Sequence, residues 1–135
     1  MNDLSQTAHV IRRTNTLWKE GKPEEALTAL DAAIGTAVSQ RDNSSIRLLC
    51  HHAAIIADSI ADLRRARQYF ERSISYNPTS ALSLYGLATN LAKQGEAELA
   101  REYAGRCFAL IINSEDEIDR GLLERIVKQW PELGS

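Results

Sequence analysis

Cysteine is scarce in this chain of 135 residues and long apolar runs are missing, and each of these facts excludes a class of protein. The two cysteines, Cys50 and Cys107, lie far apart, so they do not form the framework of a disulfide-stapled domain. No apolar run approaches the roughly 18 residues that a transmembrane helix needs. No charged start leads into an apolar stretch of the signal-peptide type. We therefore expect a cytoplasmic protein with two buried, reduced thiols and no membrane partner.

An excess of charge of one sign is also missing. The formal net charge is −2, without the basic excess that is typical of proteins that bind nucleic acid. The hydrophobic fraction of 44% and the charged fraction of 25% are ordinary for a soluble globular protein. A length of 135 residues favours one domain, residues 1–135, which can bury a core without a metal or disulfides.

Catalytic motifs are missing as well. The sequence contains no Gly-rich phosphate-binding loop and no CxxC, HExxH or GxSxG motif. Each of these motifs holds a nucleophile, a metal ligand or a phosphate-binding turn in a recognisable local structure. The sequence therefore predicts a non-catalytic protein without a cofactor.

Helical periodicity is the strongest signal that the sequence does contain. Apolar residues recur at intervals of three and four, as they do on one face of an amphipathic helix. Turn and capping residues separate these stretches, among them Pro23, Asp62, Ser80 and the run 114–117, which has the form of a capping box. We predict about seven helices in antiparallel pairs. The clearest apolar stripe consists of Ile46, Leu49, Cys50, Ala53, Ala54 and Ala57.

An internal repeat relates two parts of the chain. Residues 81–114 align with residues 47–80 at a spacing of 34, which places Ala88 on Ala54. A helix–turn–helix period of about 34 residues is the signature of the tetratricopeptide repeat. The chain resembles this family at its small, aromatic and proline positions, which residues 47–80 fill with Ala54, Ala66, Phe70, Ser73 and Pro78.

The resemblance implies an all-α fold, a right-handed α-α superhelix of about three helical hairpins. A degenerate first copy covers residues 7–40, where Thr14 replaces a small residue and six extra residues, 41–46, follow. The other copies are the two segments aligned above. Stacked hairpins need a terminal lid, and a C-terminal capping helix over residues 115–130 provides one. Its expected buried stripe is Ile118, Leu122, Ile126 and Trp130.

The resemblance also implies a concave groove lined by the first helix of each hairpin. Aromatic, amide and cationic side chains there suit a bound peptide or helix. Trp18 is a candidate anchor, and packing against a neighbouring helix is its alternative. The carboxylate clamp of one subtype is matched only at Asn15. The expected lining is Ile11, Arg12, Asn15, Trp18, Lys19, Leu48, His51, His52, Ile55, Ser59, Leu82, Tyr85, Thr89 and Lys93.

The run Cys50-His51-His52 looks at first like a metal or catalytic site. Adjacent helical residues point about 100° apart, so three in a row do not ligate one ion. In the repeat register Cys50 takes a packing position, where burial would raise the pKa of its thiol. His51 and His52 take groove positions. We therefore predict no metal site and no Cys-His nucleophile here.

These features predict a non-catalytic protein-interaction module, such as an adaptor, chaperone or assembly factor. It would bind a peptide or helix of a partner protein in the concave groove. Two alternatives remain open from the residues. One is a self-associating scaffold protein that forms homo-oligomers, and the other is an enzyme that uses His51 or His52.

Overall fold

Seven α-helices make up most of residues 4–135, the range that the computed structural model describes. A short 3-10 helix, Pro131–Gly134, follows the last of them, and this range contains no strand. The predicted all-α helical-repeat fold is therefore confirmed. The helices are α1 Leu4–Lys19, α2 Pro23–Ser39, α3 Asn43–Ser59, α4 Leu63–Tyr76, α5 Ala81–Lys93, α6 Ala97–Ile111 and α7 Glu117–Gln129.

Side-chain caps define where several helices begin. Asp42 caps α3 and Asp62 caps α4, each accepting a hydrogen bond from the backbone N–H three residues later at 3.1 Å. Ser80 caps α5 in the same way. The predicted capping box at Ser114 is wrong by two residues, because Asp116 is the cap of α7 and Ser114 instead accepts from the Asp116 N–H.

Four of the turns between helices are built on the same backbone device. In each turn one residue adopts the left-handed conformation. The backbone N–H of the following residue donates a hydrogen bond to the carbonyl five residues before it, as Asp62 does to Ala57 at 3.0 Å. This is the Schellman ending of a helix, which usually has glycine in the left-handed position. Two of the four residues are not glycine. The left-handed residues are Gly21 (φ 79°), Arg41 (φ 55°), Ala61 (φ 59°) and Gly95 (φ 82°).

The chain divides into two compact units, Met1–Asn77 and Pro78–Ser135. In the first unit α2 packs between α1 and α3, and α3 pairs with α4. The predicted stripe of α3 is buried throughout, and its alanines have no exposed surface. Such small residues let paired helix axes approach closely, because separation depends on the side chains at the contact.

Polar side chains connect α2 and α4 within the first unit. The guanidinium of Arg65 pairs with Glu24 at 2.7 Å, and Tyr69 donates a hydrogen bond to Asp31. Arg65 also contacts Asp62, its own helix cap, at 3.2 Å. Arg65, one of the four arginines of α4, is therefore paired with two carboxylates.

The second unit consists of α5, α6, α7 and the 3-10 helix. α5 pairs with α6, and α7 packs against both. Leu122, Ile126 and Trp130 are buried, as expected for a capping helix. Ile118, predicted on the same stripe, is 70% exposed. It lies in the first turn of α7, so the buried stripe begins only one turn later.

Among the described helices none is both long and apolar enough to span a bilayer.

The left-handed turn residues predict opposite effects of two substitutions. Ala61→Gly should raise the free energy of unfolding by a few tenths to about 1 kcal/mol, because relief of the left-handed cost exceeds the added chain entropy of glycine. Gly95→Ala should lower it by about 1 kcal/mol. A methyl group at Gly95 would meet no atom within 4 Å, so the cost would be conformational. Urea unfolding checks both, and a destabilised Ala61→Gly variant would contradict the argument.

Candidate partner-binding faces

The predicted binding residues of α1 occupy one accessible face of that helix. Ile11, Asn15 and Trp18 are half-buried, and Arg12 and Lys19 are exposed. Their spacing of three or four residues places them on adjacent turns. The face therefore combines one large aromatic side chain with an amide and two cations.

Thr14 explains how the degenerate first copy still packs. It occupies the position where the family carries a small residue, and it has no exposed surface. Its hydroxyl donates within α1 to the carbonyls of Val10 at 2.8 Å and Ile11 at 3.1 Å. A satisfied hydroxyl can be buried at low cost, so this departure does not disturb the helix.

The predicted residues of α3 lie opposite its buried stripe. Leu48, His51 and His52 are half-buried, Ile55 is 39% exposed, and Ser59 is exposed. An exposed isoleucine contributes little to the core, so its position leaves apolar surface available for a partner.

The two histidines of α3 have different surroundings. The ring of His51 meets Phe70 of α4 edge to face, with centroids 5.8 Å apart. The Nε2 atom of His52 is buried and has no hydrogen-bond partner among residues 4–135. Burial lowers the pKa of both imidazoles, and Arg47 and the neighbouring His52 lower the pKa of His51 further. Both rings are thus held mainly in their neutral form near pH 7.

Cys50 is separated from these histidines by the orientation of the helix. It is fully buried as a free thiol, and burial raises its pKa to about 11. Cys107 is likewise buried, with its pKa raised to about 11 for the same reason. Within the described residues there is no group of three or more His, Cys, Asp or Glu side chains that could hold a metal ion.

A cleft in the second unit brings together several predicted residues of α5. Tyr85, Thr89 and Lys93 line this space of about 530 Å³. Gln129, at the end of α7, also lines it. Leu82 does not line the cleft and is 50% exposed near the start of α5.

Gln129 is a candidate binding residue that the sequence argument missed. The repeat register assigns α7 only a capping role, and periodicity reports which face of α7 is buried. It does not report which residue of that helix lies beside α5. Only a packed structure supplies the neighbourhood of Gln129 and Thr89.

Comparison with known proteins agrees with this fold. Residues 49–80 match the family model of the tetratricopeptide repeat. The first tetratricopeptide-repeat domain of Spaghetti (RPAP3), bound to the HSP90 peptide SRMEEVD, is similar in structure, with a TM-score of 0.69 and 14% sequence identity. The alignment covers 96% of this chain and 99% of that one. No curated protein matches the sequence.

A second similar structure comes from Plasmodium falciparum. It is the C-terminal tetratricopeptide-repeat domain of a protein described there as an FK506-binding protein. The TM-score is again 0.69 at 14% identity, and the alignment covers 96% of this chain and 91% of that domain. At such identities the likeness establishes the fold alone.

The surroundings of the two histidines predict a pH-dependent stability. Their folded-state pKa values lie below the ordinary 6.5, so the unfolded chain takes up protons first as the pH falls. Their contribution to stability should be complete above about pH 6.5 and be lost as the pH falls through the lower folded-state values. Urea unfolding from about pH 7.5 to about pH 5 should show this loss. The loss of stability should be smaller in His51→Gln and in His52→Gln than in the wild type. If both variants lose as much stability as the wild type, the prediction is wrong.

Proposed function

We propose that this chain, a tetratricopeptide-repeat protein, is a non-catalytic cytoplasmic adaptor, chaperone or assembly factor that binds a segment of a partner protein. The binding surfaces are the accessible faces of α1 and α3 in the first unit and of α5 in the second. We call these the three binding faces. They consist of the residues described above on those helices, together with Gln129.

One observation carries this proposal. On α3 the helix side that packs is lined by small and aliphatic residues with almost no exposed surface, and the other side presents Ile55 at 39% exposure. Leu82 on α5 is exposed to 50%. Apolar side chains that the core leaves uncovered on the face of a helix opposite its packed side are available to a partner.

The chemistry of the three faces suggests the kind of segment they bind. Trp18 supplies a large amphipathic anchor, the residue type most enriched at binding hot spots. Arg12, Lys19 and Lys93 add positive charge around the apolar positions. An amphipathic partner segment with apolar anchors and acidic flanks would complement this pattern.

The carboxylate-clamp mode of binding is not part of this proposal. At the clamp positions of that subtype the chain carries Ile11, Asn15, His52, Leu82 and Gly86, of which only Asn15 suits a carboxylate clamp. Ile11 and Leu82 in particular donate no hydrogen bond from their side chains. The peptide in the Spaghetti structure is therefore no guide to the partner of this chain.

An enzyme that uses His51 or His52 is the weaker alternative. Cys50 lies beside both in sequence, but its buried thiol has a pKa of about 11 and is almost wholly protonated near neutral pH. His51 packs against Phe70, which leaves its ring in an apolar setting. Neither histidine gains an activated nucleophile from this cysteine.

The proposal predicts that a variant of two binding faces loses partners. The chain carrying Trp18→Ala with Tyr85→Ala should bind a captured partner at least about tenfold more weakly than the wild type, because both aromatic anchors are removed. Affinity capture from cell extract, followed by titration of the purified partner, measures the change. Circular dichroism verifies that the variant is folded.

A matched variant on the other helices provides the control. Gln68 on α4 and Glu102 on α6 are exposed and lie outside the three binding faces. Gln68→Ala with Glu102→Ala should retain the same partners at wild-type affinity. If all three proteins bind a partner equally well, binding at these faces is refuted for that partner.

Self-association is a second candidate function, favoured by exposed apolar residues in the second unit. Leu110 and Ile112 at the end of α6 and Ile118 at the start of α7 are all at least 42% exposed. Light scattering after size-exclusion chromatography should then give a mass above that of the monomer. The substitution Ile118→Lys should reduce this measured mass. Glu117→Lys, an exposed neighbour, should leave the mass unchanged. A strictly monomeric wild type at all concentrations would rule this candidate out.

A further inference from the structure

A second cavity in the first unit lies apart from the three binding faces and shares no residue with them. Its volume is about 660 Å³, and its walls are the start of α1, the end of α2 and the start of α3. This volume falls in the range of ordinary small-molecule pockets. The floor is polar, with Thr7, Asp42 and Ser45 all buried, and apolar side chains such as Val10 and Leu49 complete the walls.

The irregular repeat period builds this cavity. The first hairpin departs from the 34-residue period through the six extra residues 41–46. Four of these residues, 43–46, form the first turn of α3, which is 17 residues long, whereas α5, its counterpart in the next hairpin, has 13. Gln40, Asp42 and Ser45, which line the cavity, lie in or beside this insertion. A hairpin with the regular period would lack these walls.

A directed hydrogen-bond chain runs across the floor of the cavity. Thr7 of α1 donates to the hydroxyl of Ser45 at 2.7 Å, and Ser45 donates to Asp42. Asp42 also accepts from the Ser45 N–H. The hydroxyl protons of Thr7 and Ser45 are both donated within this hydrogen-bond chain. The remaining hydrogen-bonding sites of Thr7 and Asp42 are therefore acceptor lone pairs. The floor is therefore suited to a ligand that donates hydrogen bonds.

Asp42 and Asp62, the cap of the next helix, have different electrostatic surroundings. Asp62 caps α4 as Asp42 caps α3, but three residues later α4 carries Arg65, which pairs with Asp62 at 3.2 Å. The corresponding residue of α3 is Ser45. No cationic side chain among residues 4–135 forms an ion pair with Asp42, which is only 4% exposed. Buried charges are ordinarily paired, and the helix N-terminus supplies only a partial positive charge.

We propose that this cavity binds an alkylguanidinium or alkylammonium group, with the cation against Asp42 and Thr7 and the alkyl chain against Val10, Ala33 and Leu49. The cation supplies the countercharge that Arg65 gives to Asp62. A guanidinium or ammonium donates several hydrogen bonds, which match the free acceptors of the floor. The same chemistry occurs in free small amines and in arginine or lysine side chains of another protein.

The test uses the full chain and a charged and a neutral probe of one shape. n-Butylguanidinium and n-butylurea are titrated into labelled protein, and the backbone amide shifts of Thr7, Thr36 and Ser45 are followed by NMR. The guanidinium should give saturable shifts and bind at least about tenfold more tightly than the urea, because charge-assisted bonds are the stronger ones. Equal binding of the two probes, or no saturable shift with either, would overturn the proposal.

Two variants separate the charge of the site from its shape. Asp42→Asn removes the charge but keeps a side chain that is equally good as a helix cap. It should lower the affinity for n-butylguanidinium at least about tenfold. Ala33→Leu places a bulkier apolar side chain at the wall where the alkyl chain would pack, leaves the charge unchanged, and should weaken the binding of n-butylguanidinium. Asp62→Asn makes the same change at the cap outside the cavity and should have no effect on affinity. Wild-type affinity in Asp42→Asn would refute the role of the carboxylate.

A third probe identifies the source of the cation. An acetylated and amidated glycine–arginine–glycine tripeptide is titrated beside n-butylguanidinium. Binding at least about tenfold tighter than the small probe would mean that backbone contacts add to the cation, which supports an arginine of a partner protein. Equal or weaker binding of the tripeptide would support a free small cation. Because the cavity and the three binding faces share no residue, the Trp18→Ala with Tyr85→Ala variant should bind n-butylguanidinium normally.

Discussion

Close packing between paired helices on alanine is the constraint on which the rest of the structure depends. Ala54 of α3 and Ala66 of α4 have no exposed surface, and Ala88 and Ala100 are equally buried in α5 and α6. Small side chains at these places allow the paired helices of these two hairpins to pack closely. One side of each first helix is thereby committed to the hairpin, and the other side is left with exposed residues such as Ile55 and Leu82. The candidate binding surface is a consequence of how the hairpin is packed.

The parts of the structure that the sequence predicted well are those governed by local rules. Helix number, hairpin pairing and the caps at Asp62 and Ser80 follow from periodicity and from hydrogen bonds that span three residues. The burial of Cys50 follows from its place on the apolar stripe. Because His51 and His52 lie on the other side of the helix, the same stripe also argues against a shared site for Cys50 and the two histidines. Each of these features depends on residues within one or two turns of one helix.

The features that were missed depend on where one helix ends relative to another. Ile118 has the correct spacing for the capping stripe but lies in the first turn of α7, outside the buried part of that stripe. Gln129 reaches the cleft beside Thr89 only because α7 packs against α5. The cavity above Asp42 requires the ends of three helices to meet beside an insertion, and no periodic signal reports that meeting. Sequence spacing describes which residues share a face of one helix, whereas these features depend on where the end of one helix lies relative to its neighbours.

The contrast between Asp42 and Asp62 shows how a repeat scaffold can acquire a site without losing its structure. Both carboxylates cap a helix with the same geometry, so the cap alone accounts for their position. The side chain three residues later then decides the electrostatics, because Arg65 neutralises one carboxylate and Ser45 extends the other into a hydrogen-bond chain with Thr7. The insertion borders a cavity beside Asp42, the carboxylate that no side chain of residues 4–135 neutralises. A cap requires only an acceptor, so an aspartate whose charge the fold does not need is available to bind a cation.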